Sequence, residues 1–67
     1  MQLADALLLF KKLGVDVTVL SERELTLAYF GLAKRYHPDH SKRRNQELMA
    51  AINAARTIIR KAHFHRE

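Results

Sequence analysis

Between Ser21 and Pro38 the chain carries a segment whose spacing suits only one conformation. Leu25, Ala28, Tyr29, Leu32 and Tyr36 recur every three or four residues. That period gathers side chains on one side of an α-helix and would scatter them over both faces of a strand. Ser21 is placed as the N-cap, Glu24 three residues on completes a capping box, and Leu20 and Leu25 are set as a hydrophobic staple. Pro38, the only proline, ends the run, because its ring lacks a donor and the residue before it is pushed out of the helical region. The pattern predicts a helix over about 21–37.

Two further helical stretches account for most of the remaining chain. The first covers about 3–13 and is apolar over a broad face, through Leu3, Leu7, Phe10 and Leu13 with Leu8 and Leu9 alongside. Lys11 and Lys12 suit the negative end of its dipole, and Gly14 follows where a left-handed residue closes a helix. Val15 is expected to fold back on Phe10. The third covers about 45–62, with Asn45 as cap and Gln46 and Glu47 in the first turn. Its apolar stripe is Leu48, Met49, Ile52, Ala55, Ile59 and Ala62, and Arg60, Lys61 and His63 occupy the last turn. The polar, basic stretch from His40 to Arg44 reads as a loop. The second and third helices, similar in length and joined by a short loop, are expected to form an antiparallel hairpin whose seam the first helix covers. The fold class is all-α.

Sixty-seven residues leave room for one small domain, which rules out a two-domain enzyme. There is no cysteine, so disulfides, thiolate zinc sites and cysteine nucleophiles are excluded together, and a reducing compartment, the cytoplasm, is the expected location. The longest apolar run, Ala6 to Phe10, is far shorter than the roughly 20 residues of a membrane span, so neither membrane insertion nor a signal peptide is expected. Twelve Lys and Arg against seven Asp and Glu give a formal charge of +5, which draws acidic surfaces or phosphates.

Enzymatic chemistry is poorly supplied. Gly14 and Gly31 stand apart rather than in a phosphate-cradling loop, and no two carboxylates are spaced for acid–base work. His37 with His40, and His63 with His65, invite a metal reading, but histidine-only sites are unusual and the terminal pair has no carboxylate to orient it. No metal, cofactor or catalytic residue is assigned. Lys42, Arg43 and Arg44 in the loop, and Arg56, Arg60, Lys61 and Arg66 beyond it, could form a nucleic-acid surface or simply a solvated basic face. The loop is too long for a tight helix-turn-helix, and no aromatic residues interleave with these charges.

His37-Pro38-Asp39 is harder to explain locally. An aspartate just past a helix C-terminus faces the negative end of the dipole. Lys34 and Arg35 would offset that charge, and Asp39 could help start the next helix. The other reading is that a proline-stiffened loop displays an imidazole and an acceptor-only carboxylate to a cationic partner group such as an arginine.

Glu24-Leu25, Ala28-Tyr29 and Leu32-Ala33, followed by Tyr36-His37-Pro38-Asp39, resemble the second helix and signature loop of the J-domain, the module of DnaJ-type co-chaperones. Leu13-Gly14-Val15 is similar to that family's first-helix ending, and Ile52-Asn53 with Ala55 to its third helix. The likeness covers roughly residues 9–59. It implies a four-helix or trimmed three-helix J fold, a single J-domain over residues 1–67, whose second helix and His-Pro-Asp loop dock on a DnaK-type seventy-kilodalton heat-shock chaperone and stimulate its ATP hydrolysis without binding nucleotide; the chain is expected to be a monomer. On this reading His37, Pro38 and Asp39 form the stimulating loop, and Tyr36 is the core residue before it. Lys34, Arg35 and Arg23 assist electrostatically.

Departures from the family pattern are informative. J-domains carry a basic outer face on the second helix, where this chain has Thr26, Phe30 and Gly31. At about 100° per residue, Arg23, Leu27, Phe30 and Lys34 share the face opposite the core stripe, half apolar and half basic. A few exposed apolar residues are ordinary on a protein surface; the alternative is a docking contact with more hydrophobic content and less salt dependence than usual. Arg56 replaces the usual third-helix aromatic, and Leu9-Phe10 stands where a Tyr pair is common. The Gly/Phe-rich linker, zinc-binding cysteine repeats and client-binding domain of larger relatives have no counterpart, so no independent client-holding activity is expected. The module is either part of a larger protein or relies on another chain for targeting. The competing function is a small basic nucleic-acid-binding protein with a J-like fold and no chaperone coupling.

Overall fold

Three α-helices form the framework of the computed structural model, which describes residues 1–37 and 43–64. They are α1 (Leu3–Lys12), α2 (Glu22–Arg35) and α3 (Arg43–Ile59). A single 3₁₀ turn, Val17–Val19, lies between α1 and α2, and a wider π-type turn, Arg60–Phe64, follows α3. No strand occurs among the described residues, and the all-helical class stands.

The helix ends follow from local chemistry. At the close of α1, Gly14 takes a φ of 89°. The Gly14 N–H then donates to the Lys11 carbonyl at 3.0 Å and the Val15 N–H to the Phe10 carbonyl at 2.9 Å. This is the paired closure that a left-handed residue after the C-cap permits, and it turns Val15 back towards Phe10 as expected. The Ser21–Glu24 box is also formed: the Glu24 N–H donates to Ser21 Oγ at 3.1 Å, and the Ser21 N–H to Glu24 Oε1 at 3.0 Å. The Ser21 backbone donor, followed by the Ser21 side chain, lowers the Glu24 pKa below its ordinary value.

Several boundaries shift from those the sequence predicts. Helix α1 ends at Lys12 with Leu13 as C-cap, and α2 ends at Arg35 with Tyr36 as C-cap, so His37 lies outside the helix. Helix α3 starts at Arg43 rather than after an Asn45 cap, which moves Arg43 and Arg44 out of the expected loop. An Arg43–Glu47 contact of 4.0 Å, one turn apart on an exposed face, accompanies that early start. At the far end, the π-type turn inserts extra chain into the helical path and rotates the residues after Ile59 off the core stripe. Ala62 is therefore exposed, not buried as its spacing suggested, while Phe64 packs half-buried against the core.

One core joins the three helices. Phe10, Leu25, Ile52 and Ile59 are its largest fully buried side chains, with Ala6, Val17, Leu32, Met49 and Ala55 around them. The α2 and α3 side chains meet in antiparallel order: Glu22 reaches Arg60 near one end, while Tyr29 reaches Asn53 and Arg56 nearer the middle. Helix α1 contributes Ala6 and Phe10 to a core shared with Leu25 and Leu32 of α2. Its backbone lies nearest α3, and each of the two helices buries an alanine completely, Ala6 and Ala55. Val17 adds a buried residue from the 3₁₀ turn. Asp16 caps this turn, accepting from the Thr18 hydroxyl at 2.6 Å and the Thr18 N–H at 3.1 Å. Those bonds, the hydroxyl's first, lower the Asp16 pKa.

Candidate functional site

Helix α2 positions the candidate residues because its two sides are occupied so differently. Leu25 and Leu32 are buried in the core, which fixes the rotation of the helix about its axis. The opposite side then faces outward along its whole length: Arg23 and Lys34 are exposed, and Leu27 and Phe30 are 60% and 54% exposed. The face derived from helical spacing is therefore present on the surface as one strip.

At the C-terminal half of this strip lies an open groove of about 510 Å³ lined by Leu27, Phe30, Gly31, Ala33, Lys34 and His37. The groove brings His37 together with the apolar outer face of α2, which their separation along the chain did not reveal. Gly31 bears on its shape, since a Cβ built there meets no atom within 4 Å. Glycine is thus not required by the packing of the molecule itself. Arg35, also exposed, places its guanidinium 5.3 Å from the Tyr36 ring centroid, within the range of a cation–π contact. Tyr36 is half-buried against the core. Pro38 and Asp39 lie outside the described residues, as do His40, Ser41 and Lys42.

Among the described residues, part of the basic set considered for nucleic acid is engaged within the chain. Arg56 places its guanidinium 4.5 Å from the centroid of the Tyr29 ring, and its Nε is buried without a hydrogen-bond partner. The Tyr29 hydroxyl in turn donates to Asn53 Oδ1. Arg56 is therefore engaged by the Tyr29 ring in a cation–π contact, an interaction not legible from charge counting. Arg60 donates through Nη2 to Glu22 Oε1 at 3.2 Å, and Arg43 faces Glu47. Arg44 and Lys61 are exposed, whereas Lys42 and Arg66 lie outside the described residues.

Of the four histidines, His37 and His63 are described, and the His63 ring stands 6.3 Å from that of Phe64. Among the described residues, no group of three or more His, Asp or Glu is placed to hold a metal ion. Nor is any described helix long and apolar enough to cross a membrane. Comparison with family models, curated proteins and solved structures gives no match.

Proposed function

We propose that this chain is a J-domain co-chaperone that binds a DnaK-type chaperone and stimulates its ATP hydrolysis through His37-Pro38-Asp39. The observation carrying the proposal is the junction at the end of α2, where Tyr36 caps the helix against the core and His37 emerges into the groove beside Phe30 and Lys34. The order of the three helices and the antiparallel contacts of α2 with α3 are in keeping with the fold that the sequence resemblance implies.

The mechanism is regulatory. A protein that supplies no nucleotide site accelerates its partner's reaction only by binding the hydrolysis-competent conformation more tightly than the resting one. Tenfold stimulation needs about 1.4 kcal/mol of such preference. A carboxylate and an imidazole on a proline-restricted loop can supply it by accepting and donating hydrogen bonds, strongest where the partner group is an arginine. Lys34, Arg35 and Arg23 add attraction for an acidic partner surface and speed encounter.

The nucleic-acid reading has less support, because Arg56 and Arg60 engage groups of the chain itself. Single-turnover ATP hydrolysis by a DnaK-type chaperone tests the proposal. Wild-type protein is expected to accelerate hydrolysis, and His37→Gln and Asp39→Asn are expected to abolish the effect with helical circular dichroism intact. Absence of stimulation by the wild type, with salt-sensitive retention on DNA, would favour the other function.

A further inference from the structure

We infer that the groove on the outer face of α2 receives an apolar side chain of the partner, flanked by carboxylates that meet Arg23 and Lys34. This rests on the co-chaperone reading and specifies the contact through which docking occurs. Leu27 and Phe30 stand side by side on the strip, more than half exposed, with a concave surface between Phe30, Gly31, Ala33 and His37. Aromatic side chains, phenylalanine among them, are enriched where protein partners meet relative to the rest of the surface.

Gly31 supplies a second argument. It lies inside α2, where glycine costs backbone entropy relative to alanine. No neighbouring atom would obstruct a Cβ at this position. The missing side chain therefore serves no close packing within the molecule; what it provides is open space at the groove. A longer residue would fill that space.

Charge selects the occupant. Arg23 and Lys34 form no ion pair among the described residues, and each lies beyond one end of the Leu27–Phe30 pair. They stand about 16 Å apart along the helix. An antiparallel second copy would set Arg23 beside the copy's Lys34, and a parallel copy would set each cation beside its own equivalent. Both pairings repel. A partner with an apolar centre and acidic flanks satisfies the whole strip. Because the central contact is apolar, docking is less sensitive to salt than a contact made of charges alone.

Binding to a DnaK-type chaperone, measured by fluorescence anisotropy, tests the inference alongside single-turnover stimulation. Affinity should fall no more than about threefold between about 50 and about 500 mM salt. Phe30→Ala should weaken binding about tenfold, and Gly31→Leu should weaken it comparably while raising the melting temperature. A steep loss with salt and a neutral Phe30→Ala would overturn the inference. So would a concentration-dependent dimer abolished by Phe30→Ala, which would make a second copy the occupant. Stimulation that is lost in His37→Gln but indifferent to Phe30→Ala and Gly31→Leu removes the groove and leaves the co-chaperone reading standing. A wild type that neither binds nor stimulates removes both.

Discussion

The inner and outer sides of α2 are built from the same fourteen residues and behave as different materials. Inward, Leu25 and Leu32 are buried, while Tyr29 is held between Asn53 and Arg56. Outward, Leu27 and Phe30 remain largely in water between two cations. The inner side sets the rotation of the helix; the outer side carries apolar surface that contributes little to folding. The proposal assigns this apolar surface, which lines the groove beside His37, to a partner.

The contrast can be broken by truncation. Ile52→Ala, in the core that α2 packs against, should cost about 2–5 kcal/mol in urea unfolding, whereas Leu27→Ala should change stability by no more than about 0.5 kcal/mol. If Leu27→Ala cost as much as Ile52→Ala, the outer strip would belong to the folded core and its assignment to a partner would fail.

A smaller effect sharpens the account at the N-terminus of α2. Ser21→Ala should cost about 1 kcal/mol, because it leaves the Glu24 N–H without its side-chain acceptor. The reciprocal bond gives a pH dependence whose sign is fixed. Glu24 has a folded-state pKa below its ordinary value of 4.5, so its contribution is present above that pH and withdrawn as acid protonates the folded carboxylate. Asp16 acts in the same direction from its ordinary value of 3.8. Replacing Glu24 with Gln should flatten the acid limb of a stability–pH curve, and an unchanged limb would assign the acid sensitivity elsewhere.

Features decided by neighbouring residues were legible in the sequence. Gly14 announced the closure of α1, Ser21 with Glu24 announced the start of α2, and helical spacing separated its buried stripe from its exposed strip. Features decided by hydrogen-bond register or by distant contacts were not. The early start of α3 lies in a polar stretch with no apolar period to mark it. The π-type turn changes the register after Ile59, so a stripe extrapolated to Ala62 misses the core. The short Val-Thr-Val segment gives no helical period, and its turn depends on the Asp16 cap. Arg56 resembled a free cation because the Tyr29 ring lies 27 residues away in sequence. At the candidate site, the strip itself could be read from spacing, but the groove linking it to His37 needed the position at which α2 ends.

Mapping amide chemical shifts of this chain during titration with a DnaK-type chaperone would test the proposed docking surface most directly. The predicted changes concentrate on the outer positions of α2, from Arg23 through Leu27, Phe30 and Gly31 to Lys34, and on His37, with little change in α1. Changes confined to Arg44, Lys61 and their neighbours on α3, or no change at all, would contradict it.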